Sequence, residues 1–240
     1  MRNRMIAGNW KMNKTYTEGV ELAEGLASEL KDGTGSVDVV VCPPAVDLKG
    51  VSEVIEQKKA PFALGAQNVY WEESGAYTGE TAPDMLTNVG AAYCIIGHSE
   101  RRAYQAETDS LLAKKIRATL DTGLIPVLCV GETKQERDEN RTKQVLVEQL
   151  EADLEMFDLA HDDIIIAYEP RWAIGTGVSA TPEMIADVHA FLYEYLQDKS
   201  EGLGDRTSLL YGGSMNAANA ATIAAIPHVD GGLIGSAALK

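Results

Sequence analysis

The chain has 240 residues, of which 36 are acidic and 21 are basic, so its formal net charge is −15. A hydrophobic fraction of 45% and a charged fraction of 24% are typical of a folded globular protein and exclude a disordered or collagen-like chain. Such an acidic surface repels nucleic-acid backbones and anionic lipid headgroups, so we expect no nucleic-acid and no membrane partner.

Eight short apolar or β-branched runs recur along the chain, and longer segments of helical period separate them. The runs are residues 5–7, 37–41, 62–64, 93–96, 125–130, 164–168, 208–211 and 232–234. Helical period is clearest in residues 112–120, 146–157 and 185–195. The runs are apolar at consecutive positions, which indicates parallel strands buried on both faces. The order predicts an α/β fold, a single (β/α)8 barrel domain over residues 1–240, with an open doubly wound sheet as the alternative.

Only six residues, 235–240, follow the eighth run. An ordinary last helix needs roughly 10 residues. The C-terminal helix is therefore expected to be short or missing. That flank of the barrel should be met by a partner, a neighbouring element or solvent, unless the natural chain continues further.

Cysteine and histidine usage argues against a metal site. Cys42, Cys94 and Cys129 are odd in number, far apart and set in apolar runs, as expected for reduced, buried thiols. The four histidines include no pair at ligand spacing.

No apolar run approaches the roughly 18 residues of a membrane span, and the N-terminus has no signal-peptide pattern. We expect a cytoplasmic protein.

Polar side chains follow three of the predicted strands. Asn9 and Lys11 come after the first run, His98 and Glu100 after the fourth, and Glu169 after the sixth. In a (β/α)8 barrel these positions share the rim that carries the chemistry. Each residue alone has an ordinary structural explanation, such as a solvated charge or an ion pair. A cation, an imidazole and a carboxylate from three strand ends together predict a catalytic site.

The loop at residues 170–180 follows Glu169 and contains Gly175 and Gly177. Its glycine spacing superficially fits a dinucleotide-binding turn. Five residues, 170–174, separate Glu169 from the first glycine, however, and the acids about 20 positions later lie within a helical segment, so we reject that interpretation. A stiff start and a glycine tip favour a lid that closes over a small ligand.

Two later loops, residues 211–216 and the pair Gly235 and Ser236, are rich in small residues. Small residues allow backbone N–H groups to approach and hold a phosphate, and barrels of this kind frequently bind phosphate after the seventh and eighth strands. Amide donors and one lysine could therefore hold a dianion despite the acidic exterior.

Several segments, in order along nearly the whole chain, resemble the triosephosphate isomerase family. They are residues 7–13 (AGNWKMN), 66–68 (AQN), 75–80 (GAYTGE), 97–102 (GHSERR), 168–170 with 172–177 (YEP, WAIGTG) and 211–214 (YGGS). The resemblance implies a homodimeric barrel that interconverts dihydroxyacetone phosphate and glyceraldehyde 3-phosphate without a cofactor. It also implies that the loop at residues 75–80 enters the neighbouring subunit.

The resemblance also implies residue roles. Glu169 is expected to be the base, His98 the electrophile, and Lys11 and Asn9 their electrostatic partners, with Glu100 beside them. Gly175, Ser214 and Gly235 are expected to contact the substrate phosphate, and Ser236 stands next to them. A water-excluding lid should raise the basicity of Glu169, and the helix start after His98 should disfavour the imidazolium form.

Two residues depart from the family pattern. Arg171 replaces an aliphatic residue in the lid hinge, which is expected to alter closure. Ser236 replaces a glycine, so its Cβ is expected to restrict the backbone and weaken phosphate binding. Phosphoribosyl isomerases and indole-synthesis enzymes share the late glycine loops but do not predict the set formed by Asn9, Lys11, His98 and Glu169. A non-catalytic phosphate-binding barrel of the same fold is the remaining alternative.

Overall fold

The computed structural model describes residues 2–174 and 179–240. Eight parallel strands pair in chain order, and β8 pairs with β1 to close the barrel. The strands are β1 (Arg4–Asn9), β2 (Val37–Cys42), β3 (Ala63–Ala66), β4 (Ala91–Ile96), β5 (Ile125–Val130), β6 (Ile165–Tyr168), β7 (Ser208–Tyr211) and β8 (Gly231–Ile234). The predicted (β/α)8 barrel is confirmed, and the open-sheet alternative is wrong.

Helices lie between the strands. They are α1 (Tyr16–Glu29), α2 (Leu48–Lys58), α3 (Pro83–Asn88), α4 (Ser99–Tyr104), α5 (Asp109–Asp121), α6 (Lys134–Asp138), α7 (Thr142–Asp153), α8 (Pro182–Lys199), α9 (Leu203–Arg206) and α10 (Ala220–Ala224). The hydroxyl of Thr181 accepts from the N–H of Met184 and caps α8, whose first residue is Pro182.

Several element boundaries differ from the sequence prediction, and two of the differences have a clear structural reason. β1 extends past residue 7 to Asn9, because Gly8 and Asn9 still pair with β2. α7 ends at Asp153, so the prediction of helical period through residue 157 is wrong at its C-terminal end. Leu154 and Phe157 still pack on the apolar core from the turn that follows, which explains why they kept the apolar period.

Apolar side chains on the strands alternate between two cores. Val127 and Cys129 of β5 point into the barrel interior, and Leu128 and Val130 pack against the surrounding helices. This double burial explains the continuous apolar runs of the sequence. All three cysteines are buried free thiols, and burial raises the pKa of Cys94 to about 12. Their chemistry is therefore that of inert core side chains.

Only a single 3-10 turn, Ser236–Leu239, follows β8. Ala238 and Leu239 pack against the core at the flank of the barrel. A Cβ added at Gly8 of β1 would lie 3.0 Å from the Cβ of Ala238, so this glycine allows the turn to lie directly on the strand. The short C-terminal element matches the prediction.

Within residues 2–174 and 179–240, no helix has the length and apolar character needed to cross a membrane. The same part of the chain contains no group of three His, Cys, Asp or Glu side chains arranged to hold a metal ion.

Candidate active site

A cleft of about 1190 Å³ opens at the carboxyl ends of the strands. It is lined by all five side chains that sequence analysis assigned to catalysis, namely Asn9, Lys11, His98, Glu100 and Glu169. Three of the four candidate phosphate residues, Ser214, Gly235 and Ser236, line the same cleft. The fourth, Gly175, lies outside the described residues. Residues separated by up to 227 positions in sequence therefore share one cavity.

Glu169 and His98 are in direct contact at the base of the cleft. His98 Nε2 lies 2.9 Å from Glu169 Oε1, and the backbone N–H of Ser99 donates to Glu169 Oε2 at 2.7 Å. Both side chains are almost fully buried. Each carboxylate oxygen thus has one hydrogen-bond donor, and the carboxylate is directed by two groups from the end of β4.

His98 sits at the N-terminal cap of α4, and this position determines which ring nitrogen is protonated. The backbone N–H of Glu100 donates to His98 Nδ1 at 3.2 Å, so Nδ1 is the acceptor and Nε2 carries the proton. The short helix after His98 matches the prediction from residues 99–102. The ring therefore presents an Nε2–H donor to Glu169 and to the cleft.

Contact between His98 and Glu169 moves their pKa values apart. Burial lowers the pKa of His98, but the adjacent Glu169 carboxylate raises it, and the pKa lies above its ordinary value. Burial raises the pKa of Glu169, whereas His98 and the Ser99 N–H lower it, and the pKa lies below its ordinary value. These directions belong to the free protein, in which the two groups touch, so the expected effects of the helix start on His98 and of water exclusion on Glu169 stay predictions.

Lys11 lies where the chain leaves β1, in a left-handed backbone conformation with φ of 53°. Two polar side chains hold this strained residue. Asn9 Oδ1 accepts from the Lys11 N–H at 3.0 Å, and Gln67 Nε2 donates to the Lys11 carbonyl and to the Cys42 carbonyl, each at 2.9 Å. At the other end of the side chain, Lys11 Nζ lies 2.7 Å from Glu100 Oε1. The ammonium group is thereby directed into the cleft.

The candidate phosphate residues lie on the side of the cleft next to Lys11. A Cβ built at Gly235 would lie 3.9 Å from Lys11 Nζ, so the backbone after β8 approaches the ammonium group. Ser236 begins the terminal 3-10 turn and is not in a positive-φ conformation. A serine therefore fits this turn without backbone strain, and the expected weakening of phosphate binding stays a prediction. Ser214 and Ser236 are both exposed to the cleft.

Gly212 belongs to a loop that the sequence analysis assigned to phosphate binding. In the structure it also has a steric role. A Cβ at this position would lie 2.8 Å from Glu169 Cγ and 3.1 Å from the Tyr168 carbonyl oxygen. The absence of a side chain at Gly212, directly after β7, therefore leaves room for the buried Glu169 side chain.

Sequence analysis missed Glu132, which is fully buried behind the start of the loop at residues 170–180. Its carboxylate accepts from Tyr168 Oη at 3.1 Å, from Trp172 Nε1 at 2.9 Å and from Arg137 at 2.9 Å. Its carbonyl accepts from the N–H of Arg171 at 3.1 Å. Glu132 thus holds the chain both before Glu169, at Tyr168, and after it, at Arg171 and Trp172. The sequence signal is an acid two residues after the fifth strand.

Arg171 lines the cleft, and no ion pair joins it to any described side chain. Its backbone bond to Glu132 shows that an arginine is compatible with the start of this loop. Residues 175–178 of the predicted lid, including Gly175 and Gly177, lie outside the described residues, so closure remains a prediction.

Four of the exposed large apolar side chains lie in the segments that follow the first four strands. They are Met12, Val46, Tyr77 and Tyr104, with exposed fractions of 96, 75, 40 and 80%. Tyr77 belongs to the exposed loop at residues 75–80, and its ring packs 4.7 Å from that of Tyr70. We call these four residues the apolar rim.

Comparison with known proteins agrees with this geometry. The family model described as triosephosphate isomerase matches residues 4–240. Curated proteins named triosephosphate isomerase from Bacteroides fragilis and Phocaeicola vulgatus are each 45% identical over 244 aligned positions, which cover the whole chain and 95% of each relative. The protein of that name from Shewanella denitrificans is 46% identical, and the alignment covers the whole chain and 94% of the relative.

Proposed function

Since the chain belongs to the triosephosphate isomerase family, we propose that it interconverts dihydroxyacetone phosphate and glyceraldehyde 3-phosphate through an enediolate, with no cofactor. The observation that carries this proposal is the contact between His98 and Glu169 in a cleft that also holds the Lys11 ammonium group. Proton transfer between adjacent carbons needs a base, an acidic donor to the oxygens and a cation for the developing charge.

Glu169 is proposed as the base. Its Oε1 and Oε2 are both engaged in this arrangement, by His98 and by the Ser99 N–H. To remove a proton from C1 of dihydroxyacetone phosphate, the carboxylate has to leave at least one of these donors. The same carboxyl group then returns the proton to C2 of the enediolate, and the hydroxyl proton moves from O1 to O2, so that the isomerisation ends without a net change in protonation.

His98 is proposed as the electrophile. When Glu169 turns toward the substrate, the main cause that raises the pKa of His98 moves away. Burial and the Glu100 N–H at Nδ1 remain, and both favour the neutral ring. The neutral Nε2–H then donates to the substrate oxygens at C1 and C2.

Lys11, Asn9 and Glu100 are proposed as the electrostatic part of the site. Glu100 holds Lys11 Nζ in place in the free protein, and its side chain is 41% exposed, so it can release the ammonium group to an incoming dianion. Asn9 fixes the Lys11 backbone through its side-chain oxygen. The lysine would then lie between the substrate phosphate and the developing enediolate.

Ser214, Gly235, Ser236 and Gly175 are proposed as the phosphate contacts. Support comes from the exposure of Ser214 and Ser236 to the cleft and from the closeness of Gly235 to Lys11. Amide donors at the starts of short turns suit an anion of this kind.

A coupled assay with dihydroxyacetone phosphate tests the proposed function. Formation of glyceraldehyde 3-phosphate, detected by its NAD-dependent oxidation with an added dehydrogenase, is expected at catalytic enzyme concentrations. Binding of the phosphate compound without turnover would support the non-catalytic barrel instead. No observation on the described residues favours that alternative.

We also propose that the protein is a homodimer whose interface includes the apolar rim and the loop at residues 75–80. Support comes from four exposed apolar side chains in the segments after four neighbouring strands, because exposed apolar patches often mark protein–protein contacts. A dimer through this face would place the partner next to the loops that carry Lys11 and His98. Light scattering should give twice the chain mass of 25.9 kDa.

Tyr77→Asp should shift that mass toward the monomer, because a charge would be buried in the interface. Met156→Asp is the matched control, since Met156 is an exposed apolar residue in the segment after α7. A monomeric wild-type protein at micromolar concentration would refute the dimer.

We further propose a cytoplasmic location, supported by the three unpaired thiols, and a role in glycolysis and gluconeogenesis, supported by the proposed substrates.

A further inference from the structure

Arg102 lies behind the candidate site and does not line the cleft. It belongs to α4, four residues after His98, and its side chain is only 8% exposed. The guanidinium group turns back toward the barrel rather than outward to solvent. A buried arginine has to be paired and hydrogen-bonded to offset its desolvation.

Two strand ends are joined by this side chain. Arg102 Nε donates to the Gly97 carbonyl at 2.9 Å, and Nη2 donates to the Cys129 carbonyl at 3.1 Å. Gly97 immediately precedes His98, so the first bond fixes the orientation of the peptide group that carries the imidazole. Cys129 lies near the end of β5, next to β6 and Glu169, and the nearby Glu169 carboxylate contributes to the raised pKa of the Cys129 thiol.

Two carboxylates balance the charge of the guanidinium group. Nη2 lies 2.6 Å from Asp153 Oδ2 at the end of α7, and Nη1 contacts Asp109 at the start of α5. Four partners from four different elements therefore use the planar fork of donors, which a lysine cannot reproduce.

The local backbone explains why such a clamp is needed. Gly97 has φ of 70°, and a Cβ there would lie 2.8 Å from Leu112 Cδ1 and 3.2 Å from Arg102 Nη2. The chain makes a sharp left-handed turn between β4 and α4, and the Gly97 carbonyl points away from the strand ladder. Arg102 supplies the donor for that carbonyl and fills the space beside it.

We propose that Arg102 is a positioning residue for the isomerisation: it acts through the Gly97 and Cys129 carbonyls to hold His98 and Glu169 in register. The inference rests on the proposed function of the site. Arg102 touches neither the cleft nor the substrate position, so its loss should reduce the chemical step and leave ground-state binding nearly unchanged. A displacement of about 1 Å in a reacting group can cost 100-fold in rate.

The test compares Arg102→Lys with Asp109→Asn. The lysine keeps the charge but loses the fork, whereas the asparagine removes one carboxylate and leaves the bonds to Gly97 and Cys129. We expect kcat of Arg102→Lys to fall at least about tenfold, with KM and the Kd of glycerol 3-phosphate within about threefold of wild type. The kcat of Asp109→Asn should stay within about twofold, even where urea unfolding shows a loss of stability.

NMR provides a second measurement, because the loss of a residue that only stabilises the fold would not change the signals of the His98 ring. The His98 ring ¹⁵N resonances should shift in Arg102→Lys and remain in place in Asp109→Asn. If Arg102→Lys does not fold, the double variant Arg102→Gln/Asp153→Asn removes the charge on both sides of the buried contact and leaves no uncompensated charge at Asp153. The same fall in kcat is expected there.

Wild-type kcat in Arg102→Lys, or proportional losses of kcat and glycerol 3-phosphate affinity, would overturn the inference. In the double variant, an unchanged kcat would do the same. A wild-type protein without isomerase activity would instead refute the proposed function, so the two failures are distinguishable.

Discussion

His98 Nε2 and Glu169 Oε1 lie 2.9 Å apart, and both side chains are almost completely buried. In the free protein the Glu169 carboxylate is therefore engaged by the His98 ring and, at its other oxygen, by the Ser99 N–H. This contact stabilises the carboxylate, and it has to open before either group acts on a substrate. The proposed mechanism thus begins with an exchange of hydrogen-bond partners.

Replacing Glu169 with Gln should lower the pKa of His98. The carboxylate is the main cause that raises this pKa, while burial lowers it, so burial should dominate once the charge is gone. NMR titration of the ring resonances from pH 4 to 9 measures the change, with the exposed His161 as an internal control. An unchanged His98 pKa would show that the two groups are not coupled in solution.

The sequence predicted this contact only in part. Strand ends converge at one rim of a (β/α)8 barrel, so Lys11, His98 and Glu169 could be placed together from the order of elements alone. Whether a carboxylate at that rim faces a histidine, a backbone N–H or water depends on side-chain rotamers, which no periodic pattern contains. The pKa directions of His98 and Glu169 in the free protein depend on this contact and could not be predicted for the same reason.

Glu132 and Arg102 show a second limit. Both are buried charges whose partners come from distant elements, such as Trp172 for Glu132 and Asp153 for Arg102. In the sequence they resemble ordinary surface charges near a strand end. Their burial follows from packing between helices and barrel, and that packing becomes visible only when the whole chain is folded.

Lys11→Ala should impair both substrate binding and turnover. The ammonium group lies beside Gly235 on the predicted phosphate side and is oriented by Glu100 in the cleft, so its charge serves two steps. Steady-state kinetics should show a higher KM together with a kcat at least about tenfold lower. Lys49→Ala, at an exposed lysine of α2, is the matched control. A change in KM alone would remove Lys11 from the chemical step.

Arg171→Gln should weaken the capture of the dianionic substrate. Arg171 lines the cleft without an ion pair to a described side chain, in a protein whose net charge is −15. At low ionic strength kcat/KM should fall about two- to fivefold, and the difference from wild type should shrink at 0.5 M salt because charges are screened. Arg171→Lys should retain wild-type behaviour. An equal loss in both variants, independent of salt, would indicate altered hinge packing instead.

His189 should make the folded protein sensitive to acid. Its ring is fully buried, Nδ1 contacts the His228 carbonyl at 3.1 Å, and burial lowers its pKa from 6.5 to about 4. As the pH falls from 6.5 to 4, the unfolded chain takes up a proton that the folded protein does not, so stability decreases with falling pH. The full contribution is on the order of 3 kcal/mol.

His189→Asn keeps a donor for the His228 carbonyl and removes the titrating group. Urea unfolding at several pH values should give a smaller loss of stability between pH 6.5 and 4 than in wild type. Parallel pH profiles for the two proteins would contradict the assignment of this acid sensitivity to His189.

Exchange of the C1 hydrogen of dihydroxyacetone phosphate with deuterium oxide, followed by ¹H NMR, tests the central assignment of Glu169 most directly. Wild type and the control Glu56→Gln, at an exposed carboxylate of α2, should introduce deuterium at C1 of the recovered ketone and at C2 of the aldehyde. Glu169→Gln should slow this incorporation at least about 100-fold while the fold is retained. Incorporation by Glu169→Gln at the wild-type rate would contradict the account.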